Sequence, residues 1–384
     1  MFAGLHNLTV IEIGQVVAAP FAAAVLADLG ATVIKIEKPD GGDEVRHHAQ
    51  PYVNGESLPF HAYNRGKRSV VLDLRTEDGI RTLHALAETA DVLIHNLRPG
   101  VAASIGIDGE QFCAAHPQIV YCEVSGFGQN GPLSGEPAYE PLMQAITGLV
   151  SINGDPAGPP SRVPLSITDL GTGMWSVIGI LTALVQRQTT GRGCVVRASL
   201  FDTGLTWMAQ RVESWVNQGV ESARAPMSAG SGIVPFQQFA TADTNLFVCV
   251  ASEKLFAKFC AALEHPEWLD DPDFATNRGR SKNRDRLVPL LDAVFAQHPR
   301  DVWLERLRAA GVPCAAVNSV PEVCALEQFE ASGMLRGPIA DTPLRLIGVP
   351  LSFDGERPQP AGLAPKLGAD NALAGVPAVA GTAP

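Results

Sequence analysis

The chain has 384 residues, a formal net charge of −11 and no long run of Lys or Arg, which argues against a surface built to neutralise a nucleic-acid backbone or an anionic membrane. Its seven cysteines include no CxxC pair and sit mostly inside apolar runs, where a free thiol behaves as a small hydrophobe, so neither a disulfide framework nor a metal site is expected. Met1 to Val10 lacks a basic stretch leading into an apolar one, and the most apolar run, Met174 to Val185, is a dozen residues long against the ~20 needed to span a bilayer; a soluble, cytoplasmic protein is expected.

The first third alternates β-branched runs with helical stretches. Strands are predicted at Thr9 to Ile13, Thr32 to Ile36, Ser69 to Leu72, Val92 to His95 and Ile119 to Val124, with helices at Phe21 to Leu29 and Ile80 to Glu88. Strands this continuously apolar are covered on both faces, the mark of a parallel α/β sheet. A Gly/Pro-rich stretch from Gly126 to Pro137 follows, then a helical segment from Tyr139 to Leu149 and a loop from Asn153 to Arg162. Thr172 to Gln188 reads as a buried helix ended by the Gly191-Arg192-Gly193 turn, and Val195 to Ser199 as a further strand.

An Ala/Ser/Gly-rich break at Glu221 to Gly232 separates this part from a more charged segment with a strand at Leu246 to Ala251 and helices around Leu255 to Leu263 and Ser281 to Phe295. The expected organisation is a large Rossmann-like domain over residues 1–220 and 327–384, with residues 221–326 forming a smaller inserted α+β domain. Leu344 to Val349 reads as a strand returned to the large domain, and the Ala/Gly/Pro tail from Leu373 as disordered.

Open parallel sheets bind ligands beyond the carboxyl ends of their strands, which directs attention to Gly14 to Pro20, Glu37 to Arg46, Asp73 to Arg75, Asn96 to Gly100 and Ser125 to Gly131. The first of these loops is not GxGxxG, so a nicotinamide dinucleotide is disfavoured although Glu37 closes the second strand. Lys35, Lys38, Arg46, Arg65, Lys67, Arg68, Arg75 and Arg98 gather basic charge in the first hundred residues. They are candidates to hold the phosphates of an anionic ligand, a solvated surface being the plain alternative.

Asp169 lies where an extended apolar approach, Val163 to Ile167, runs into small residues and a helix. An acid there can cap the helix by accepting backbone N–H bonds. It can equally act as a covalent nucleophile, with room for an acyl group beside it and helix-start N–H groups to stabilise an oxyanion. Spacing leaves both readings open.

Several longer stretches carry a resemblance: AAPFAAAVLADLGATVIKIEKPDGGDEVR (18–46), NRGKRSVVLDL (64–74), ADVLIHNLRPG (90–100), EVSGFGQNGP (123–132), AYEPLMQAITGL (138–149), ITDLGTGMWSVIGILTAL (167–184), TGRGCVVRASLFDT (190–203) and PFQQFATADTNLFVCVAS (235–252). In order and spacing the chain resembles the class III CoA-transferase family, which includes formyl-CoA and carnitine CoA-transferases and shares its fold with α-methylacyl-CoA racemase. The resemblance implies an interlocked homodimer that takes acyl-CoA and a small carboxylic acid as substrates and holds no tightly bound cofactor. It makes Asp169 the nucleophile, with Tyr139, Glu140 and Gln15 around it. CoA contacts are implied at Val17, Ala18, Lys38, Leu72, Asp73, Leu74, Arg75, Asn96, Leu97 and Arg98.

The related racemase uses a His where this chain has Tyr139, so the resemblance favours CoA transfer over α-proton exchange. An acyl-CoA isomerase of the same fold, including intramolecular CoA transfer, and a non-catalytic CoA-binding module are the alternatives. Against the formyl-CoA transferase pattern, Val17 stands for a glutamine, Ser104 for an arginine and Pro137 for a lysine, and the glycine run of a lid is reduced to Ala229-Gly230-Ser231-Gly232; formate and oxalate are disfavoured. A second carboxylate on a substrate would find Arg46 or Arg162 as candidate partners.

Overall fold

The structure, a computed structural model, describes residues 4–48, 51–225, 227, 232–359 and 362–377. Two units emerge, one over residues 1–149, 163–219 and 330–384, the other over residues 150–162 and 220–329.

The first unit is built on a six-stranded, all-parallel sheet. Its strands are β1 (Thr9–Ile13), β2 (Thr32–Glu37), β3 (Arg68–Val71), β4 (Val92–His95), β5 (Val120–Ser125) and β6 (Val195–Ser199), in the order β3-β2-β1-β4-β5-β6. The predicted apolar runs resolve into two faces with a period of two. Val10, Val33, Val92, Ile94, Val120, Cys122 and Val124 enter one core with α1 (Ala18–Asp28) and α6 (Ile167–Thr190). Ile11, Ile13, Ile34, Ile36, Leu93 and Tyr121 enter the other, with α3 (Glu77–Ala87) and α4 (Gly109–Ala115). Between these lie α2 (Leu58–Asn64) and, after β5, α5 (Glu140–Ile146); α7 (Leu200–Trp207) and α8 (Ala209–Gln218) close the main run.

Helix α6 begins five residues before the sequence reading placed it and runs unbroken for 24 residues to Gly191, whose φ of +68° forms a left-handed C-cap. By length and composition it could cross a membrane, but half of its most apolar stretch is buried within the unit. Its inward face is small and hydroxylic: Thr172 Oγ1 meets Thr203 Oγ1 at 2.8 Å, and both hydroxyls also reach backbone carbonyls of their own helix turns. The missed residues before Thr172 bury Thr168 and Gly171 rather than large apolar side chains, which hid that turn from an apolar-pattern reading. Gly173 lets α1 approach: a Cβ there would stand 2.9 Å from the Ala18 carbonyl oxygen and 2.7 Å from the Phe21 ring.

The chain just before the tail, and the tail's first residues to Pro377, lie against the sheet. Asn371–Ala374 form a 3-10 turn, and Val376 packs on the second core. Asp370 accepts the Ser69 N–H at 2.9 Å and Asn371 Oδ1 the Val71 N–H at 2.8 Å, so two side chains satisfy the outer edge of β3. An edge strand with open N–H groups needs such partners, which orders the chain past Leu373. Residues 378–384 lie outside the described residues.

The second unit holds the antiparallel strands β7 (Phe236–Ala240), β8 (Asn245–Cys249) and β9 (Cys314–Ala316), in the order β9-β8-β7. Phe239, Phe256, Phe259, Leu291, Phe295 and Trp303 form its core with α9 (Glu253–Ala262), α10 (Arg284–Phe295) and α11 (Arg300–Ala309).

Gly173→Ala is expected to cost ~1–3 kcal/mol by overpacking against the α1 backbone, which thermal denaturation would show as a Tm lower by a few degrees. An unchanged Tm would mean that α1 and α6 have room to spare.

Candidate active site

In the order β3-β2-β1-β4-β5-β6 the chain turns back at β1, so the loops after β1 and β4 diverge and open a crevice at their carboxyl ends. A cleft of about 420 Å³ occupies that place, lined among others by Gln15, Asn96, Tyr139, Glu140 and Asp169. A second cleft, of about 240 Å³, lies beside it over β2 and β3 and shares Gln15, Leu97 and Val101 with the first. Together they collect every candidate site residue: Gln15, Val17, Ala18, Asn96, Leu97, Arg98, Tyr139, Glu140 and Asp169 in the larger; Lys38, Leu72, Asp73, Leu74 and Arg75 in the smaller.

The β1–α1 loop is held by side chains from three directions. Asn96 clamps Gln15, Oδ1 accepting its N–H at 2.9 Å and Nδ2 donating to its carbonyl at 2.8 Å. Lys35 Nζ donates to the Gly14 carbonyl at 2.8 Å. Asp43 Oδ1 accepts the Val16 N–H at 3.1 Å, which supports Val16 at a φ of +66°, a left-handed conformation costly for a β-branched residue. The side chain of Gln15 and the Tyr139 hydroxyl have no hydrogen-bond partner among the described residues and face the cleft. Helix α1 then starts without a side-chain cap, which leaves its first N–H groups directed at the cleft.

The β4 loop is fixed by His95. Its Nδ1 accepts the Leu97 N–H at 3.2 Å and its Nε2 lies 2.8 Å from the Tyr121 hydroxyl, which donates to the Ile107 carbonyl. Burial pulls its pKa down to about 4, so the imidazole is neutral and keeps Nδ1 as an acceptor.

Asp169 is the third residue of α6, and its carboxylate makes no hydrogen bond among the described residues. The capping reading therefore does not hold. Glu140, buried at the start of α5, takes that role from across the cleft: its Oε1 lies 3.4 Å from both the N–H and the hydroxyl of Thr168. Burial, reinforced by the negative charge of Glu140, pushes Asp169 up to about 7. The charge of Asp169 also reaches Tyr63, whose hydroxyl is raised first by burial and then by that carboxylate. A half-buried carboxylate with free oxygens, no cation beside it and a like charge nearby is more basic than an exposed one, and it faces open space rather than the protein.

Half of the basic candidates are spent inside the protein. Lys35 pairs with Glu12 at 2.8 Å and Asp43 at 2.9 Å, Lys67 with Glu12 at 2.6 Å, Arg65 with Asp28 at 2.6 Å, and Arg46 with Glu37 at 2.6 Å and Glu56 at 2.8 Å. All four are buried, so none is available for phosphates, and Arg46 is unavailable for a substrate carboxylate. Lys38, Arg68, Arg75, Arg98 and Arg162 remain exposed. Asn96 was read as a ligand contact, yet its side chain is engaged with the protein. Gln144, Asp43 and His95 were not singled out; for Gln144 a signal existed, its i+4 spacing from Glu140 on one helix face.

The sequence matches the family model described as CoA-transferase family III over residues 5–371. It is 36% identical to the acetyl-CoA:oxalate CoA-transferase of Acetobacter aceti over 94% of this chain and 92% of that protein. It is 34% identical to the succinyl-CoA:glutarate CoA-transferase of Mus musculus over 86% and 76%. The crystal structure of a CAIB/BAIF family protein from Brucella suis superposes with a TM-score of 0.87 at 33% identity, covering 97% of this chain and 98% of that one. A match that runs from the first strand to the strap on β3, with relatives aligned over most of their own length, means that this chain belongs to the CoA-transferase family III and is an enzyme of that class.

Proposed function

We propose that the enzyme moves CoA from an acyl-CoA donor to a carboxylic acid acceptor by covalent catalysis at Asp169. The observation that carries this reading is the Asp169 carboxylate itself: unpaired, half-buried and more basic than usual, at a cleft on the switch point of the sheet. The carboxylate attacks the thioester carbonyl and expels CoA thiolate, leaving an acyl-aspartyl anhydride. The thiolate then attacks the aspartyl carbonyl, releasing the donor acid and forming an aspartyl-CoA thioester. Acceptor carboxylate displaces the thiolate to give a second anhydride, and the thiolate takes the new acyl group from it, regenerating Asp169. Every step exchanges one activated acyl group for another, so no external energy source is needed.

The smaller cleft, with exposed Lys38 and Arg75 at its rim, suits the nucleotide end of CoA, and the larger one the acyl end. CoA is then substrate rather than resident cofactor. Gln15 and the first N–H groups of α1 are the oxyanion donors within reach of this cleft. The two relatives above are named for acetyl-CoA and oxalate and for succinyl-CoA and glutarate, which favours a dicarboxylate among the substrates and runs against setting oxalate aside. The lid suggested by Ala229 to Gly232 falls mostly outside the described residues.

The enzyme acts as a homodimer in this reading. Successive helices α6, α7 and α8 expose Trp175, Ile178, Trp207, Trp215 and Val216, an apolar surface that a second copy would cover. All seven cysteines are free thiols, in keeping with a reducing, cytoplasmic setting.

Incubation with an acyl-CoA donor is expected to leave a hydroxylamine-sensitive adduct on Asp169, and Asp169→Ala to lose about 10³-fold or more in transfer rate; full activity in that variant would end the mechanism. Across a panel of acids, dicarboxylates are expected to outpace monocarboxylates with acetyl- or succinyl-CoA as donor. In the free enzyme Asp169 is protonated below about 7, so kcat/KM is expected to rise with pH through that value. The same raised pKa destabilises the fold from about pH 4 upward, where the unfolded carboxyl has ionised, and the cost is complete above about pH 7. Asp169→Asn should therefore melt at a higher temperature than the parent at about pH 8 and match it near pH 4. Light scattering that returned the mass of one chain would rule out the dimer.

A further inference from the structure

Gln144 lines neither cleft, yet it is fully buried and ties together the two segments that carry the carboxylates. Its Nε2 donates to Glu140 Oε1 at 2.7 Å and to the carbonyls of Val163 at 3.0 Å and Leu165 at 3.2 Å. Its Oε1 accepts the Val163 N–H at 2.9 Å. Both ends of the amide are thus in use: Nε2 bridges α5 and the extended run that enters α6, and Oε1 holds that run. Ser166, the N-cap of α6, makes no side-chain capping bond, so nothing local fixes where that helix begins. The first turn is instead held from outside, by Glu140 on Thr168 and by Gln144 on residues 163 to 165.

We propose that Gln144 is the positioning residue of the Asp169 nucleophile: one carboxamide holds the Glu140 carboxylate and the entry to α6 together, and so sets the separation of the two carboxylates. The inference rests on the reading of Asp169 given above. The chemistry requires an amide. The side chain must donate to a carboxylate and a carbonyl while accepting a backbone N–H, which neither a carboxylate nor an apolar side chain of the same size can do. Donation to Glu140 Oε1 also fixes where that carboxylate sits, and with it the charge that bears on Asp169. A packing role for Gln144 would affect stability alone; a positioning role also reaches the titration of Asp169 and the chemical steps.

The test compares Gln144→Met and Gln144→Glu with the parent in the full-length enzyme, using the donor and acceptor on which the parent turns over fastest. Gln144→Met is expected to lower kcat about 10- to 100-fold with KM for acyl-CoA within about threefold, because placement is lost while the clefts keep their walls. Its acid limb in kcat/KM should move down by about half a pH unit or more, since Glu140 without its tether is free to turn away and its charge opposes ionisation of Asp169 less. Gln144→Glu sets a third carboxylate against the pair, so its limb should move up by a similar amount. Limbs displaced in opposite directions at near-native KM establish the positioning role. Limbs unchanged in both variants, or losses in kcat and KM that merely follow a lower Tm, overturn it. If Gln144→Met does not fold, the upward limb of Gln144→Glu decides alone. Asp169→Ala run alongside separates the two readings: full activity there removes the nucleophile, whereas an inactive Asp169→Ala with unshifted Gln144 limbs removes only the role of Gln144.

Discussion

The site depends on a set of charges buried beneath the β1–α1 loop. Glu12 and Lys35 stand side by side on β1 and β2 in register, fully buried on the face that α1 covers, and Asp43 and Lys67 complete the set. Burial alone would pull Lys35 toward neutrality, but Glu12, Asp43 and Glu37 outweigh it and hold its pKa above the ordinary value. Lys67, which shares Glu12 with Lys35, is pulled down to about 7 by burial despite that partner. Replacing such a pair with apolar side chains is often neutral for stability, while removing one member costs ~3–5 kcal/mol by stranding the other. The return on this arrangement is geometric. Lys35 reaches on to the Gly14 carbonyl and Asp43 to the Val16 N–H, so the charges dictate the path of a loop that otherwise has no reason to adopt a left-handed valine.

That arrangement also explains what the sequence could and could not reveal. β1, β4 and β6 were legible to the residue: β4 is buried on both faces and reads as an apolar run, while in β1 and β6 β-branched residues between turn signals marked the strand despite Glu12 and Arg197. Basic residues of the first hundred positions were not legible in the same way: whether Lys35 meets a phosphate or Glu12, 23 residues away, depends on strand register, which no local pattern encodes. Arg46 and Arg65 lie off the strands, and their partners Glu37 and Asp28 are set by tertiary packing that no local pattern encodes either. The strap over β3, just before the tail read as disordered from Leu373, was missed because two side-chain acceptors about 300 residues from their donors leave no local pattern. Asp169 was legible as a position but not as a role. Local sequence allowed a cap, and only the fold shows Glu140, 28 residues upstream, occupying Thr168 instead.

The chemistry follows from what is withheld from Asp169 as much as from what surrounds it. A cation beside the carboxylate would stabilise its ground state and weaken it as a nucleophile. No basic group bears on Asp169 among the described residues; the charge that does is another carboxylate, Glu140. In the proposed mechanism positive potential would come from the start of α1, which has no side-chain cap and whose dipoles would act on an oxyanion as it forms. On the proposed reading, the cleft would favour the state in which charge has moved from Asp169 to the substrate oxygen.

The bond pattern of Asn96 has a further consequence. β1 and β4 are paired as far as Ile13 and His95, and the backbone ladder ends there because the two loops diverge. Asn96 reaches across the gap with a donor and an acceptor on Gln15, as the next rung of the ladder would have done. In effect the sheet continues one step into the cleft by means of a side chain. The floor of the cleft thereby shares the stiffness of the sheet interior, and whatever movement admits CoA and expels it must come from its rim, where Tyr139 stands exposed and uncommitted.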